Sequence, residues 1–195
     1  MLNLTSSLIQ FYNADGFIPA IPPFYAYSVR KLVPTYTGPQ LQLKRTSNAT
    51  LANLYLDQQA KVVMLELLLL NTSLNLTDPN DIADWINLDS SVRVSKIYDQ
   101  SGNNLHLQPC SPTNMPTLIL ESSENGLPIV QFNSNVGMIA RWMGTYGSSQ
   151  SAFLVADFFS NGAYLGITDS NYAGIAKRID AKSKLRYFSQ NVAYS

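Results

Sequence analysis

The shape of the apolar runs constrains this chain most. They are short, they alternate with polar residues, and Gly, Pro, Asn or Asp closes nearly every one. Val92-Arg93-Val94-Ser95-Lys96-Ile97-Tyr98 alternates and then meets Asp99-Gln100-Ser101-Gly102-Asn103-Asn104. Pro116–Leu120, Pro128–Phe132, Ala152–Phe159, Ala163–Ile167, Gly174–Ile179 and Leu185–Ser189 repeat the pattern. Period-two alternation turns one face of a strand to a core and the other to solvent. Many short strands bounded by turn residues predict an antiparallel sandwich.

The first half carries the same signal. Tyr25–Leu32 reads as a strand, Pro34–Pro39 as a turn, and Gln40–Arg45 and Asn53–Asp57 as two further strands. The run Val62–Leu70 is open between a buried strand and a short helix. One segment departs from the β pattern. Asp78 is a natural N-cap, Pro79 suits the first helical position, and Ile82, Trp85 and Ile86 share a face. A single short helix is therefore expected near residues 79–87, with Trp85 as a core anchor.

A chain of 195 residues with 46% apolar residues is enough for one domain with a core. No internal repeat or linker divides it. Residues 1–24 read as an apolar arm, because Pro19, Pro22 and Pro23 obstruct regular pairing. Residues 25–195 form the single folded domain.

Charge excludes several functions. Thirteen Lys and Arg balance thirteen Asp and Glu, and charged residues are only 13% of the chain, against roughly 25% in an average domain. A nucleic-acid partner would call for a basic excess, and none exists. A nearly uncharged chain is at ease when much of its surface is covered by an assembly or by glycans. Cys110 is the one cysteine and His106 the one histidine. An intrachain disulfide is impossible and a metal site is poorly supplied, so neither metal nor cofactor is expected. Cys110 and His106 are close enough in sequence to consider as a Cys–His pair, but a loop cysteine is the better reading.

The N-terminus lacks the basic region and cleavage site of a signal peptide. No apolar run approaches the ~20 residues needed to span a bilayer. Sequons occur at Asn3, Asn48, Asn71 and Asn75 and are expected to stay unmodified without a signal peptide.

The string Tyr98-Asp99-Gln100-Ser101-Gly102-Asn103, with His106 shortly after, reads as a hairpin-fixing corner. Asp99 can accept backbone N–H groups two residues on, Gly102 can supply a positive φ, and Asn103, Asn104 and His106 can satisfy loop carbonyls. A structural role is preferred there over a catalytic one.

Several strings together resemble a known group. They are Ala26–Leu32, Tyr36-Thr37-Gly38-Pro39, Leu43–Thr50, Ile97–His106 and Asn125–Phe132. In order and spacing they are similar to the concanavalin-like jelly roll of the α-L-arabinofuranosidase B catalytic domain. Related domains occur in tail and capsid proteins of phages and large DNA viruses. The resemblance runs from about residue 25 to about residue 170. It implies a mainly β, antiparallel concanavalin-like jelly-roll sandwich with the one short helix near 79–87. The family's sandwich has further strands, so the resemblance implies an incomplete C-terminal edge that another chain would pair.

The same resemblance argues against catalysis. A retaining glycosidase needs two carboxyls about 5–5.5 Å apart. Alignment of Ala163–Gly166 with the family motif puts Asn161 where the nucleophilic Glu belongs, and an amide cannot take that role. The family's acid/base segment lies beyond Ser195. Asp157 in an apolar strand and Asp169 in the next turn are other carboxylates, and a structural role is preferred for Asp157. No catalytic residue is assigned.

Two functions follow as expectations. The first is a non-enzymatic virion structural protein, minor capsid or capsid-associated. It would contact other capsid proteins or copies of itself through the 1–24 arm, the 62–70 segment and the C-terminal edge. The second is a glycan-binding module or a degenerate arabinofuranosidase-like glycosidase. Its site would use Trp142, Tyr146, Asn161, Tyr164 and Asn171, which place aromatic platforms beside amides in one loop-rich third.

Overall fold

The computed structural model describes residues 2–4, 26–70, 72–88, 92–121, 126–133, 136–140, 156–158, 175–179 and 185–189. The fold is mainly β and antiparallel, with one short helix among the described residues. The strands are β1 (Leu2–Leu4), β2 (Leu41–Arg45), β3 (Leu51–Leu56), β4 (Val62–Leu68) and β5 (Ser73–Leu76). After helix α1 (Pro79–Asn87) come β6 (Val92–Ile97), β7 (Gln108–Pro109), β8 (Thr117–Ile119), β9 (Ile129–Phe132) and β10 (Met138–Ile139). Strands β11 (Ala156–Phe158), β12 (Ile175–Ile179) and β13 (Leu185–Ser189) complete the set. The main sheet has the order β11-β1-β9-β8-β6-β2-β3-β4-β5, while β7 pairs β10 and β12 pairs β13.

Antiparallel partners point to the same face, so the register lays the side chains in rows across the sheet. One apolar row runs Ile97, Leu41, Leu54, Leu65, Leu76 from β6 to β5. A second runs Val94, Leu43, Ala52, Leu67, Leu74. Leu41, Leu43, Ala52, Leu54, Leu65 and Val94 are wholly buried in these rows. The opposite face carries the polar row Lys96, Gln42, Asn53, Glu66, Asn75. The alternation in the sequence thus becomes a core face and a polar face.

Helix α1 starts where the capping chemistry places it. The Asp78 carboxylate accepts the N–H of Asn80 at 2.8 Å, and Pro79 opens the first turn. Ile82, Trp85 and Ile86 are buried and join the core with the sheet's leucines. Arg45 of β2 lies over the Trp85 ring at 4.3 Å, and its Nε donates to the Trp85 carbonyl at 3.1 Å. Helix and sheet are therefore tied by packing, a cation–π contact and a hydrogen bond.

Two local expectations change. The run from Val62 is a strand through Leu68, with Leu65 fully buried. The segment Tyr25–Leu32 does not form the expected strand over its described part, residues 26–32. Its Ala26 and Leu32 N–H groups and its Arg30 carbonyl are taken by the buried side chains of Asp99 and Gln100 rather than by a ladder. Residues 1–24 fall outside the described residues except Leu2–Leu4, which pairs with β9 and β11 inside the sheet. Among the described residues no helix is long and apolar enough to cross a membrane.

Candidate functional site

The chain turns sharply after β6, and two buried polar residues organise what surrounds that turn. Asp99 is 1% exposed. Its Oδ1 accepts the N–H groups of Ala26 and Ser101, each at 2.9 Å. Its Oδ2 accepts the Ser101 hydroxyl at 2.8 Å and the Leu105 N–H at 3.1 Å. A carboxylate offers about four lone-pair positions, so this one is fully engaged. Gly102 follows at φ +92° and Asn104 at φ +59°, the left-handed backbone that closes the loop.

Gln100, also 1% exposed, braces the segment opposite. Its Oε1 accepts the Leu32 N–H at 2.7 Å and its Nε2 donates to the Arg30 carbonyl at 2.8 Å. Its own N–H donates to the Ala26 carbonyl at 2.8 Å. Gln40 repeats the device at the head of β2, where its Oε1 accepts the Leu56 N–H at 2.6 Å. The Tyr27 hydroxyl donates to the Leu105 carbonyl. Residues 26–32 are thus held by side chains some seventy positions away.

His106 closes the corner. Its Nδ1 accepts the Asp99 N–H at 3.1 Å, and its ring meets Tyr98 edge-on with centroids 4.9 Å apart. Burial lowers its pKa below the usual 6.5, Lys96 pushes the same way, and Asp99 opposes them. Cys110 is an exposed free thiol in a bend after β7, and its N–H donates to the Gly137 carbonyl at 2.9 Å. Among the described residues no group of His, Cys, Asp and Glu gathers to hold a metal.

A second polar assembly crosses the sheet's polar face. The Ser95 hydroxyl donates to Gln42 Oε1 at 3.1 Å, and Gln42 Nε2 donates to the Tyr98 hydroxyl at 3.4 Å. The Tyr98 hydroxyl donates to Asn53 Oδ1 at 2.8 Å, and Asn53 Nδ2 donates to Glu66 Oε2 at 3.0 Å. The Tyr55 hydroxyl donates to the same Glu66 oxygen at 3.1 Å. The Lys96 ammonium lies 5.0 Å from the Tyr98 ring centre.

Burial and the Glu66 carboxylate push the Tyr55 phenol up to about 12. Burial first, then Tyr98, Tyr55 and Asp99, push Tyr36 up to about 12. Burial and Glu66 raise Tyr98 as well, against a smaller opposing effect of its bond to Gln42. These phenols therefore stay protonated donors at neutral pH. Half-buried tyrosines, two amides and one carboxylate on a single face present alternating donors and acceptors beside aromatic surface.

The structure brings Tyr98, Asp99, Gln100, Ser101, Gly102, Asn103 and His106 into one corner. Trp142, Tyr146, Asn161, Tyr164 and Asn171 lie outside the described residues, as does Asp169. Asp157 is placed only as a backbone position in β11. Sequence reading did not single out Gln42, Asn53, Tyr55 and Glu66. Each is an outward residue of an alternating strand, the one signal that could have selected it, and only the register places them side by side. No family model matches the chain, and neither a curated protein nor a solved structure matches it.

Proposed function

We propose that this protein is a non-enzymatic structural protein of a virion, minor capsid or capsid-associated, whose β body serves as a rigid block for protein–protein contacts. One observation carries the reading most directly. Among the described residues, the three buried polar side chains Gln40, Asp99 and Gln100 all hold backbone from other parts of the chain. Buried polar groups engaged in this way rigidify a fold. Asp99, the carboxylate of the most distinctive string, has no acceptor position left for proton transfer or attack. The resemblance to viral jelly-roll domains supplies the setting, and the low charge suits a surface covered by neighbours. The 1–24 arm apart from Leu2–Leu4, which pairs inside the sheet, and the C-terminal edge are the proposed contacts. Mass spectrometry of purified, protease-treated particles tests this. The protein is expected at a fixed ratio to the major capsid protein, and its absence from particles overturns the reading.

A second reading is a glycan-binding module, favoured by the polar face of the sheet. Tyrosine rings beside the Gln42 and Asn53 amides and the Glu66 carboxylate suit a neutral polyhydroxyl ligand. The loop residues Trp142, Tyr146, Asn161, Tyr164 and Asn171 would add to it. A glycan array read with the purified chain, and again with Glu66→Gln, tests this. Binding that weakens in the variant supports the module, and no binding by the unaltered chain removes it.

A further inference from the structure

Strand β5 ends the sheet, and among the described residues nothing pairs with its outer side. Natural edge strands are usually guarded by Lys, Pro or a bulge. Apart from its shortness, four residues, this one has none of them. Residues 67–77 contain no charged residue and no proline, and the β4–β5 register is regular. Leucines crowd the same edge. Leu69 is 48% exposed, Leu70 is fully exposed, and Leu74 is 51% exposed at the end of a row whose inner members Val94, Leu43 and Ala52 are buried and whose Leu67 is half-buried.

We propose that β5 is a homotypic pairing edge, in which two copies of this chain join antiparallel about a two-fold axis through Asn75. The identity of the occupant follows from the rows. Directly opposed residues in an antiparallel pair share a face, and a one-residue slip exchanges the faces. A register with Asn75 opposite Asn75 of the second copy puts Leu74 opposite Leu76 twice, and Ser73 opposite Thr77. The apolar row through Leu67 and Leu74 then continues into the second copy's Leu76 and Leu65. The polar row through Glu66 and Asn75 continues into its mirror image. Apolar meets apolar and amide meets amide, with no charge left unpaired. The register centred on Leu74 keeps the faces but sets Leu76 against Thr72, which breaks the apolar row. A two-fold pairing of like with like is also the commonest form of self-association.

The pairing rests on the structural-protein reading above and names its partner, a second copy. A four-residue edge with a few leucines is small beside the ~1,200 Å² of a stable interface. The dimer is therefore concentration-dependent in solution and is reinforced in an assembly.

Sedimentation of the full chain between ~1 and ~500 μM tests the association. A monomer–dimer equilibrium is expected, weakened roughly tenfold or more in Leu74→Lys, which brings an ammonium onto the apolar row of each copy. A chain that stays monomeric throughout overturns the proposal, as does a dimer that Leu74→Lys leaves intact. The register has its own test in a Cys110→Ser background. Opposed residues lie ~4.5–5.5 Å apart at Cα, within disulfide reach. Asn75→Cys is expected to give an oxidised dimer, whereas Leu74→Cys, which does not face itself, is not. Cross-linking at position 74 in preference to 75 overturns the register. The two readings fail separately. A monomer present in particles removes the pairing alone, and a dimer absent from particles removes the virion reading alone.

Discussion

The carboxylate of Asp99 accepts the backbone N–H of Ala26 at 2.9 Å, across seventy-three positions of sequence. The same carboxylate takes three more donors from Ser101 and Leu105. Asp99→Asn keeps the shape but replaces one acceptor oxygen with a donor. The Ser101 hydroxyl can rotate to accept from the new amide, but the Leu105 N–H cannot, and it is left facing a donor. A buried donor without a partner costs about 1–3 kcal/mol. Denaturant unfolding of Asp99→Asn is expected to show a loss of that size. A variant as stable as the parent would mean that the carboxylate does not hold the corner.

Gln100 supports the same segment from the other side. Gln100→Leu fills similar space but frees the Leu32 N–H and the Arg30 carbonyl. The expected cost is about 2–4 kcal/mol. The accompanying local signature is faster amide exchange at Leu32 than in the parent. Global destabilisation with unchanged exchange at Leu32 would contradict this account.

The contrast between that segment and α1 shows what was legible in the sequence. The helix was readable because every determinant is local. The N-cap Asp78, the proline at 79 and the apolar positions 82, 85 and 86 lie within nine residues. Strands β2, β3 and β6 were readable because alternation alone tells the buried face. Tyr25–Leu32 alternates just as well, yet its Ala26 N–H, Leu32 N–H and Arg30 carbonyl are held by the side chains of Asp99 and Gln100, and no local pattern reports partners so distant. Strand β5 escaped notice because Ser73-Leu74-Asn75-Leu76 is short and half polar, as exposed edges are. The polar row escaped for the complementary reason. Gln42, Asn53 and Glu66 are ordinary outward residues until the register of β2, β3 and β4 sets them in line.

The Arg45–Trp85 pair fastens the helix to the sheet. Trp85 is 7% exposed, and truncation of a buried tryptophan costs about 3–5 kcal/mol. Trp85→Ala is expected to fall in that range by thermal or denaturant unfolding. Arg45→Lys retains the charge but loses the planar guanidinium over the ring and the Nε bond to the Trp85 carbonyl. A smaller loss of about 1 kcal/mol is expected there. If Arg45→Lys cost nothing while Trp85→Ala cost several kcal/mol, packing alone would hold the helix.

The polar face predicts how the fold responds to alkali. Tyr36 and Tyr55 titrate near 12 in the folded chain, against 10 for a free phenol, and Tyr98 is raised in the same direction. Below pH 10 these phenols are neutral in both states, and their contribution to stability is fully present. Between pH 10 and about 12 the unfolded chain releases the Tyr36 and Tyr55 protons that the folded chain still holds. The native state then binds more protons, so stability must fall as pH rises through that window. Denaturant unfolding at pH 9, 10 and 11 is expected to show the decline beginning above pH 10. Tyr55→Phe removes one of the titrating groups and should make the slope shallower, although it also loses the bond to Glu66 at neutral pH. A spectrophotometric titration of the native chain gives an independent measure, with these phenols ionising later than those of the denatured chain. A slope unaltered by Tyr55→Phe would show that the Tyr55 phenol does not contribute to the alkaline transition.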